Sequence, residues 1–310
     1  MGQIDVGRAA TTGFGVIARN PLAVLIWGLV FFALTFLPLI LMFGAIGPAL
    51  AEFVQSAPAD GAEPDLSAMM RLQGQMMAAN SLVQLGQLAA QVLLMCAVFR
   101  AVLTPADNRF FYLRLTMGEL MAGLMMLFVT ILLVMGIFAA VLIGVIVVAG
   151  AAAASPEAAV VIGIIAALAL IAGAIWLGLR FSLAPVMAFA QRGFPLVEAW
   201  KLTAGRVGSL FLVGLLTVLI VVALEVVVFG ALIGASIAAI AGASFNEAAL
   251  EAFFAQPVSA WSMQLLPWVL GGGLVLSLCA AVFSTLLMAP WAAVYRDLAP
   301  RDEETAAAFA

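Results

Sequence analysis

The sequence predicts an all-α integral membrane protein: six transmembrane helices as three tandem in-to-in hairpins, each preceded by a short cytoplasmic interfacial helix. Three observations lead there. Of the 310 residues, 66% are hydrophobic and only 9% charged, with a mean hydropathy of +1.24. A soluble domain carries about 25% charged residues, and a soluble core of this chain length cannot enclose so much apolar surface, so the surrounding solvent is lipid. The charges also avoid the apolar runs and gather at their ends. Finally, "LRLTMGELMAGLMMLF" from Leu113 and "WKLTAGRVGSLFLVGLL" from Trp200 write one pattern twice: a cation, Leu, Thr, any residue, Gly, then an apolar run.

Crossing the hydrocarbon core takes about 20 apolar residues. On that scale the spans fall near 22–47, 80–103, 118–150, 158–180, 207–241 and 264–289. The first is read as a retained span. "SAPAD" at 56–60 resembles a signal-peptidase site, but the apolar stretch before it, Pro21 to Ala51, far exceeds the roughly 7–15 residues of a signal core. The third and fifth runs are longer than a crossing needs and either tilt or continue beyond the bilayer. "AAAASPE" at 151–157 alone separates spans three and four, which predicts a tight hairpin there.

Basic residues give the orientation. One side collects Arg8, Arg19, Arg100, Arg109, Arg114, Arg180, Arg192, Lys201, Arg206, Arg296 and Arg301. The other holds Arg71 with Glu52, Asp60, Glu63, Asp65, Glu157, Glu247 and Glu251. That asymmetry places both termini in the cytoplasm.

The repeat extends beyond the two quoted segments. Thr11-x-Gly13 precedes span one, as Thr116-x-Gly118 and Thr203-x-Gly205 precede spans three and five. "RAVLTP" (100–105) and "RFSLAP" (180–185) close spans two and four, and "TLLMAP" (285–290) closes span six with Thr in place of Arg. The chain therefore reads as a single membrane domain over 1–310, with parallel repeats at about 5–105, 106–190 and 191–300 and a polar cytoplasmic tail at 301–310. Inverted repeats, common in secondary transporters, are not the pattern. The lead-ins "NRFFYLRLTMG" and "FPLVEAWKLTAGR" carry apolar and charged faces at helical spacing. In the latter, Phe194, Val197, Trp200 and Ala204 share a face, and Glu198 and Lys201 are spaced to pair. Such helices lie in the interface, and Gly13, Gly118 and Gly205 are the expected hinges, since glycine has no Cβ to oppose a bend.

Candidate functional residues are few. Two readings fit Arg100 and Arg180, which end their spans five residues before a Pro. They snorkel to headgroups, favoured by the helix C-terminal dipole, or they face inward and grip lipid phosphate. Arg109, Arg114, Lys201 and Arg206 join them as candidate headgroup contacts. Glu225 is the sole acid inside an apolar run and is either an interfacial or interhelical anchor or a proton- or substrate-linked group. Asn80, Gln84, Gln87 and Gln91 form a polar stripe that either joins neighbouring helices or lines an aqueous path with Glu225. Gly271 to Gly273 suggest close packing or a kink. Cys96 and Cys279 lie in apolar runs and read as packed hydrophobes. With no histidine and no acidic cluster at metal-ligand spacing, neither a catalytic group, a cofactor nor a metal site is expected. Nucleic acid is not an expected partner; membrane lipids, anionic ones in particular, and another membrane protein are.

"EAWKLTAGRVGSLF", within 194–216, its counterpart over 108–128, and "MAPWAAVYRDL" at 288–298 resemble bacterial six-span inner-membrane proteins related to the membrane domain of glycerophosphodiester phosphodiesterases. The resemblance implies an all-helical fold in the bacterial inner membrane. It implies no phosphodiesterase activity, since only "RDEETAAAFA" is expected to follow span six. The expected role is non-enzymatic: a lipid-associated protein or partner-binding scaffold in envelope homeostasis. The alternative is a small-molecule or ion transporter using Glu225 and the Gln84/Gln87/Gln91 stripe.

Overall fold

A computed structural model describes residues 4–55, 66–242 and 258–299. Asp60, Glu63, Asp65, Glu247, Glu251, Arg301, "SAPAD" and the 301–310 tail lie outside the described residues. The described residues are almost entirely helical, without a strand. In order they form α1 (Val6–Arg19), α2 (Pro21–Gln55), α3 (Leu66–Leu103), a single-turn 3-10 segment (Arg109–Tyr112), α4 (Met117–Ala154) and α5 (Pro156–Phe181). Then come α6 (Ala184–Gln191), α7 (Leu196–Leu202), α8 (Val207–Gly242) and α9 (Val258–Leu298). Six of these, α2, α3, α4, α5, α8 and α9, are long and apolar enough to cross a membrane. α4 has 38 residues, roughly 57 Å at about 1.5 Å per residue, well beyond a hydrocarbon core of about 30 Å. The long runs are therefore continued as helix.

Local chemistry sets the boundaries. The Asp5 carboxylate accepts from the Arg8 amide at 3.0 Å and caps α1. Pro21 opens α2, where its missing N–H has no helical partner to lose. α3 stops at Leu103, ahead of Pro105. Ser155 alone separates α4 from α5: its Oγ accepts from the Ala158 amide at 3.2 Å, and Pro156 begins the next helix. α4 and α5 then touch in antiparallel register, Val148 against Gly163 and Leu177 against Gly136.

Two predicted features of the repeat are corrected. Gly13 lies inside α1, buried in an unbroken helix, and the break before α2 falls at Asn20. α1 is capped at Asp5 and closed at Pro21, so nothing at Gly13 interrupts its ladder. Pro290 sits inside α9, which runs on to Leu298; helices among neighbours tolerate an internal proline. By contrast, Pro105 follows the end of α3, and Pro185 falls in the first turn of α6 after the end of α5.

The chain divides into two units. The first comprises residues up to Val16, Cys96–Val218 and the chain from Leu286 onward. Its core is built from Val98, Phe99, Met125, Leu183, Val186, Leu210, Val213, Leu286 and Val294, all essentially inaccessible. The second comprises Ile17–Met95 and Leu219–Thr285. Here close backbone approach accompanies buried Trp27 and Leu94. A Cβ at Gly86 of α3 would drive into the carbonyl oxygen of Leu34 in α2, and one at Gly28 of α2 would lie 2.6 Å from Leu278 Cδ2 in α9. Without a hydrophobic drive between helices in lipid, such small-residue contacts hold them together. Large apolar side chains meanwhile point outward, among them Ile143 and Ile146 of α4 and Ile164, Ile165 and Leu168 of α5.

Gly86 therefore gives a sharp stability test. Gly86→Ala forces two backbones apart and should cost about 1–3 kcal/mol, seen as a lower melting temperature of the detergent-solubilised protein. Gly74→Ala in the same helix meets open space and should be neutral or stabilising by up to about 1 kcal/mol. Equal effects from both variants would refute the close-approach reading.

Candidate functional site: two arginines at matched helix ends

Arg100 and Arg180 occupy matching places near the ends of α3 and α5, and their surroundings differ. Arg100 is 6% exposed. Its Nη2 is bound to the carboxylate of Glu119, itself buried in the first turn of α4, and its Nη1 donates to the Tyr112 carbonyl at 2.7 Å. The Phe189 ring of α6 lies 5.4 Å from the guanidinium carbon. Glu119 also receives the Thr116 amide at 2.8 Å and the Thr116 hydroxyl, the return half of a capping box. One carboxylate thus starts α4 and neutralises the end of α3.

The segment between them is no α-helix, contrary to the amphipathic lead-in predicted for "NRFFYLRLTMG". Phe110, Phe111 and Tyr112 adopt left-handed backbone, with φ of 50°, 55° and 66°, at a cost of about 1–2 kcal/mol each. The turn delivers the Tyr112 carbonyl to Arg100 and lets the Tyr112 hydroxyl donate to the Pro105 carbonyl at 3.2 Å. Phe110 and Leu115 stay exposed.

Arg180 has no such acid. Among the described residues it makes no ion pair, and its Nε is buried without a hydrogen-bond partner. Its guanidinium carbon lies 4.1 Å from the ring centroid of Trp200 in α7 and 5.6 Å from that of Trp176 in α5. The two indoles meet edge to face at 5.4 Å, and Phe181 packs on Trp200 at 5.1 Å. Buried Thr203 has its hydroxyl 3.0 Å from the Arg180 carbonyl, joining the ends of α5 and α7. Gly205 then turns the chain into α8 with φ of +73°, a conformation that glycine adopts without penalty.

The other predicted residues separate into groups. Of the hinges, Gly205 is a bend, whereas Gly118 is helical in the first turn of α4, where a Cβ would crowd the Phe189 carbonyl oxygen at 2.9 Å. Of the headgroup candidates, Arg100 is corrected: burial and Glu119 occupy it. Arg114 is held by Asp107 through two bonds of 2.9 Å. Arg109, Lys201 and Arg206 have no acidic partner among the described residues; Arg206 Nη1 donates to the Leu202 carbonyl at 2.9 Å. Glu198 and Lys201 do not pair, and the buried face of α7 is Ala199 and Thr203 rather than Phe194 and Val197. Glu225 is half-buried in α8, while Asn80, Gln84, Gln87 and Gln91 of α3 are all exposed. Cys96 is buried and Cys279 half-buried, both free. The sequence reading did not single out Glu119, Tyr112, Phe189 or Asp107. The available signal was an acid in the first turn of an apolar span, one residue beyond the T-x-G.

Two apolar grooves mark the first unit. One, of about 450 Å³, lies between α4 and α5 and is lined by small residues such as Ala140, Gly144, Gly163 and Ala167. The other, of about 380 Å³, is lined by Ala172, Ile175, Trp176 and Leu179 of α5 and Val207, Gly208 and Phe211 of α8. Neither is lined by Glu225 or the glutamine stripe.

These features define a multi-pass α-helical membrane protein with one neutralised and one un-neutralised arginine at matched helix ends. No protein-family model, curated protein or solved structure matches the chain.

The Arg100–Glu119 pair is open to a direct test. Removing one member of a buried ion pair strands the other and typically costs about 3–5 kcal/mol. Glu119→Gln should lower the melting temperature severely, whereas the Arg100→Met/Glu119→Leu double variant should recover much of the loss. A double variant worse than the sum of the singles would contradict a pair held mainly by mutual neutralisation.

Proposed function

We propose that this chain is a non-enzymatic protein of the bacterial inner membrane that associates with anionic lipid at its cytoplasmic face. The topology in this reading is three in-to-in hairpins with both termini cytoplasmic, as the basic residues indicate. The observation that carries it is a residue of positive charge left after internal pairing. Arg8 is bound to Asp297 at 2.8 Å, Arg100 to Glu119 and Arg114 to Asp107, which leaves Arg109, Arg180, Arg192, Lys201, Arg206 and Arg296 on the same side without acidic ion-pair partners among the described residues. Exposed Phe110, Leu115, Met117 and Val197 stand among them. Cations interleaved with exposed apolar side chains suit a headgroup layer, where each basic residue gains about 1 kcal/mol from anionic lipid. The short α7 and the 109–112 turn would lie in that layer, and a role in envelope lipid homeostasis follows from it. The resemblance to membrane domains of glycerophosphodiester phosphodiesterases is consistent with this setting.

A second reading concerns partners. An exposed row of Asn80, Gln84, Gln87 and Gln91 on a membrane-length helix suits contact with a polar stripe on another helix, which would make the chain a scaffold. The transporter alternative rests on Glu225 and the glutamine stripe, and neither of the two apolar grooves described above is lined by them.

In native mass spectrometry, Arg109→Glu/Lys201→Glu should reduce retained phosphatidylglycerol several-fold relative to phosphatidylcholine. Arg71→Glu, on the opposite side, should leave retention as in the parent. Unchanged retention in the double variant would overturn the lipid reading. For the second reading, Gln84→Leu/Gln87→Leu/Gln91→Leu should reduce the mass of the detergent-solubilised assembly in light scattering, and an unchanged mass would remove it.

A further inference from the structure

We propose that Arg180, Trp200 and the α5–α8 groove form a discrete site for one anionic phospholipid, its phosphate held by Arg180 and Arg206 and an acyl chain lying along the groove. This deepens the lipid reading and rests on it, since it converts general association with a charged surface into one stoichiometric position.

Aligning Thr116-Met117-Gly118-Glu119 with Thr203-Ala204-Gly205-Arg206 puts Arg206 where Glu119 stands. At the first junction the arginine ending α3 meets an acid in the first turn of α4. At the second, the arginine ending α5 meets a chain that supplies another arginine, and the first turn of α8 contains no acid. A buried donor without an acceptor is costly, and Arg180 Nε is one. The rings of Trp176 and Trp200 fix the guanidinium plane without neutralising it. Planar arginine is the side chain suited to phosphate oxygens. Among the described residues no acid supplies the missing charge, and the proposal assigns it to an anion from outside the chain.

The groove says what kind of anion. Leu179 and Val207, the chain neighbours of Arg180 and Arg206, both line it, as does Trp176. From there it follows α5 back to Ala172, about 10 Å at helical rise, with only apolar side chains and Gly208 on its walls. A soluble phosphate would use the arginines and ignore the groove. A phospholipid uses both, with its charge at the helix ends and its chain leading into the membrane-spanning segments. Membrane-length helices on both sides make a lipid tail the occupant that fits.

The test uses the purified full-length protein in neutral detergent, with dioleoyl phosphatidylglycerol, dioleoyl phosphatidylcholine and inorganic phosphate as probes. Native mass spectrometry should show one phosphatidylglycerol surviving activation that strips the rest. Arg180→Gln should weaken that adduct about tenfold or more, the loss expected for a charge-assisted contact. Gly208→Leu, which fills the groove and spares both cations, should weaken it comparably. The Gly208 Cβ position meets open space, so this variant keeps the fold testable if Arg180→Gln does not accumulate. Retention of the tight adduct in Gly208→Leu, or its displacement by millimolar inorganic phosphate alone, would overturn the lipid site. If Arg180→Gln and Gly208→Leu leave lipid retention intact while Arg109→Glu/Lys201→Glu abolishes it, this site fails and the broader reading stands. If none of the three variants has an effect, both fail.

Discussion

A guanidinium at the end of a membrane helix needs a counter-charge, and the first unit is organised around how that need is met for Arg100. Glu119 supplies the charge and also receives the Thr116 amide, so the end of α3 and the start of α4 share one carboxylate. The Tyr112 carbonyl supplies the second acceptor, which requires three consecutive left-handed residues in the connection. α6 then packs over the pair through Phe189, whose carbonyl leaves room for nothing larger than Gly118. Helix end, turn, next helix and covering helix are thereby coupled. Desolvation offsets much of the pair's Coulomb attraction, so its main contribution is to fix which ends meet.

The same constraint is left open at the second junction. Thr203 bridges α7 to the Arg180 carbonyl and Gly205 provides the bend, so the backbone is closed without an acid. Two indoles orient Arg180 in place of a carboxylate. Positions matched in sequence but opposite in charge, Glu119 and Arg206, give two differently folded junctions different chemistry. One is a structural clamp, and the other is an invitation to an anionic ligand.

How much of this was legible in the sequence varies with the physics. The six long helices follow from apolar run length, because lipid forces every backbone group into a local hydrogen bond, and "ASPE" marked the α4–α5 break through Ser capping and Pro at the first position. The role of T-x-G was only half legible. Thr116 caps a helix, Thr203 bonds another helix, and Gly13 bends nothing, because the motif is short and its role is decided by tertiary neighbours. Pro290 illustrates the same limit, since a proline ends a helix only where packing does not carry the helix through it. The left-handed run at 110–112 had no signal at all: aromatic residues avoid that conformation, and only the demand of Arg100 selects it. For the site, Arg180 was legible as a cation at a span end. That it lacks a partner where Arg100 has one depends on a one-residue comparison, Glu119 against Arg206, whose meaning emerges once the contacts are known.

Arg206→Glu tests the contrast between Glu119 and Arg206 most directly. If an acid at this position neutralises Arg180 as Glu119 does Arg100, the variant should melt higher than the parent in neutral detergent without added lipid. It should also lose the stabilisation that phosphatidylglycerol gives the parent. A variant that melts lower, and still gains the full stabilisation from phosphatidylglycerol, would contradict the claim that Arg180 is an arginine awaiting an external anion.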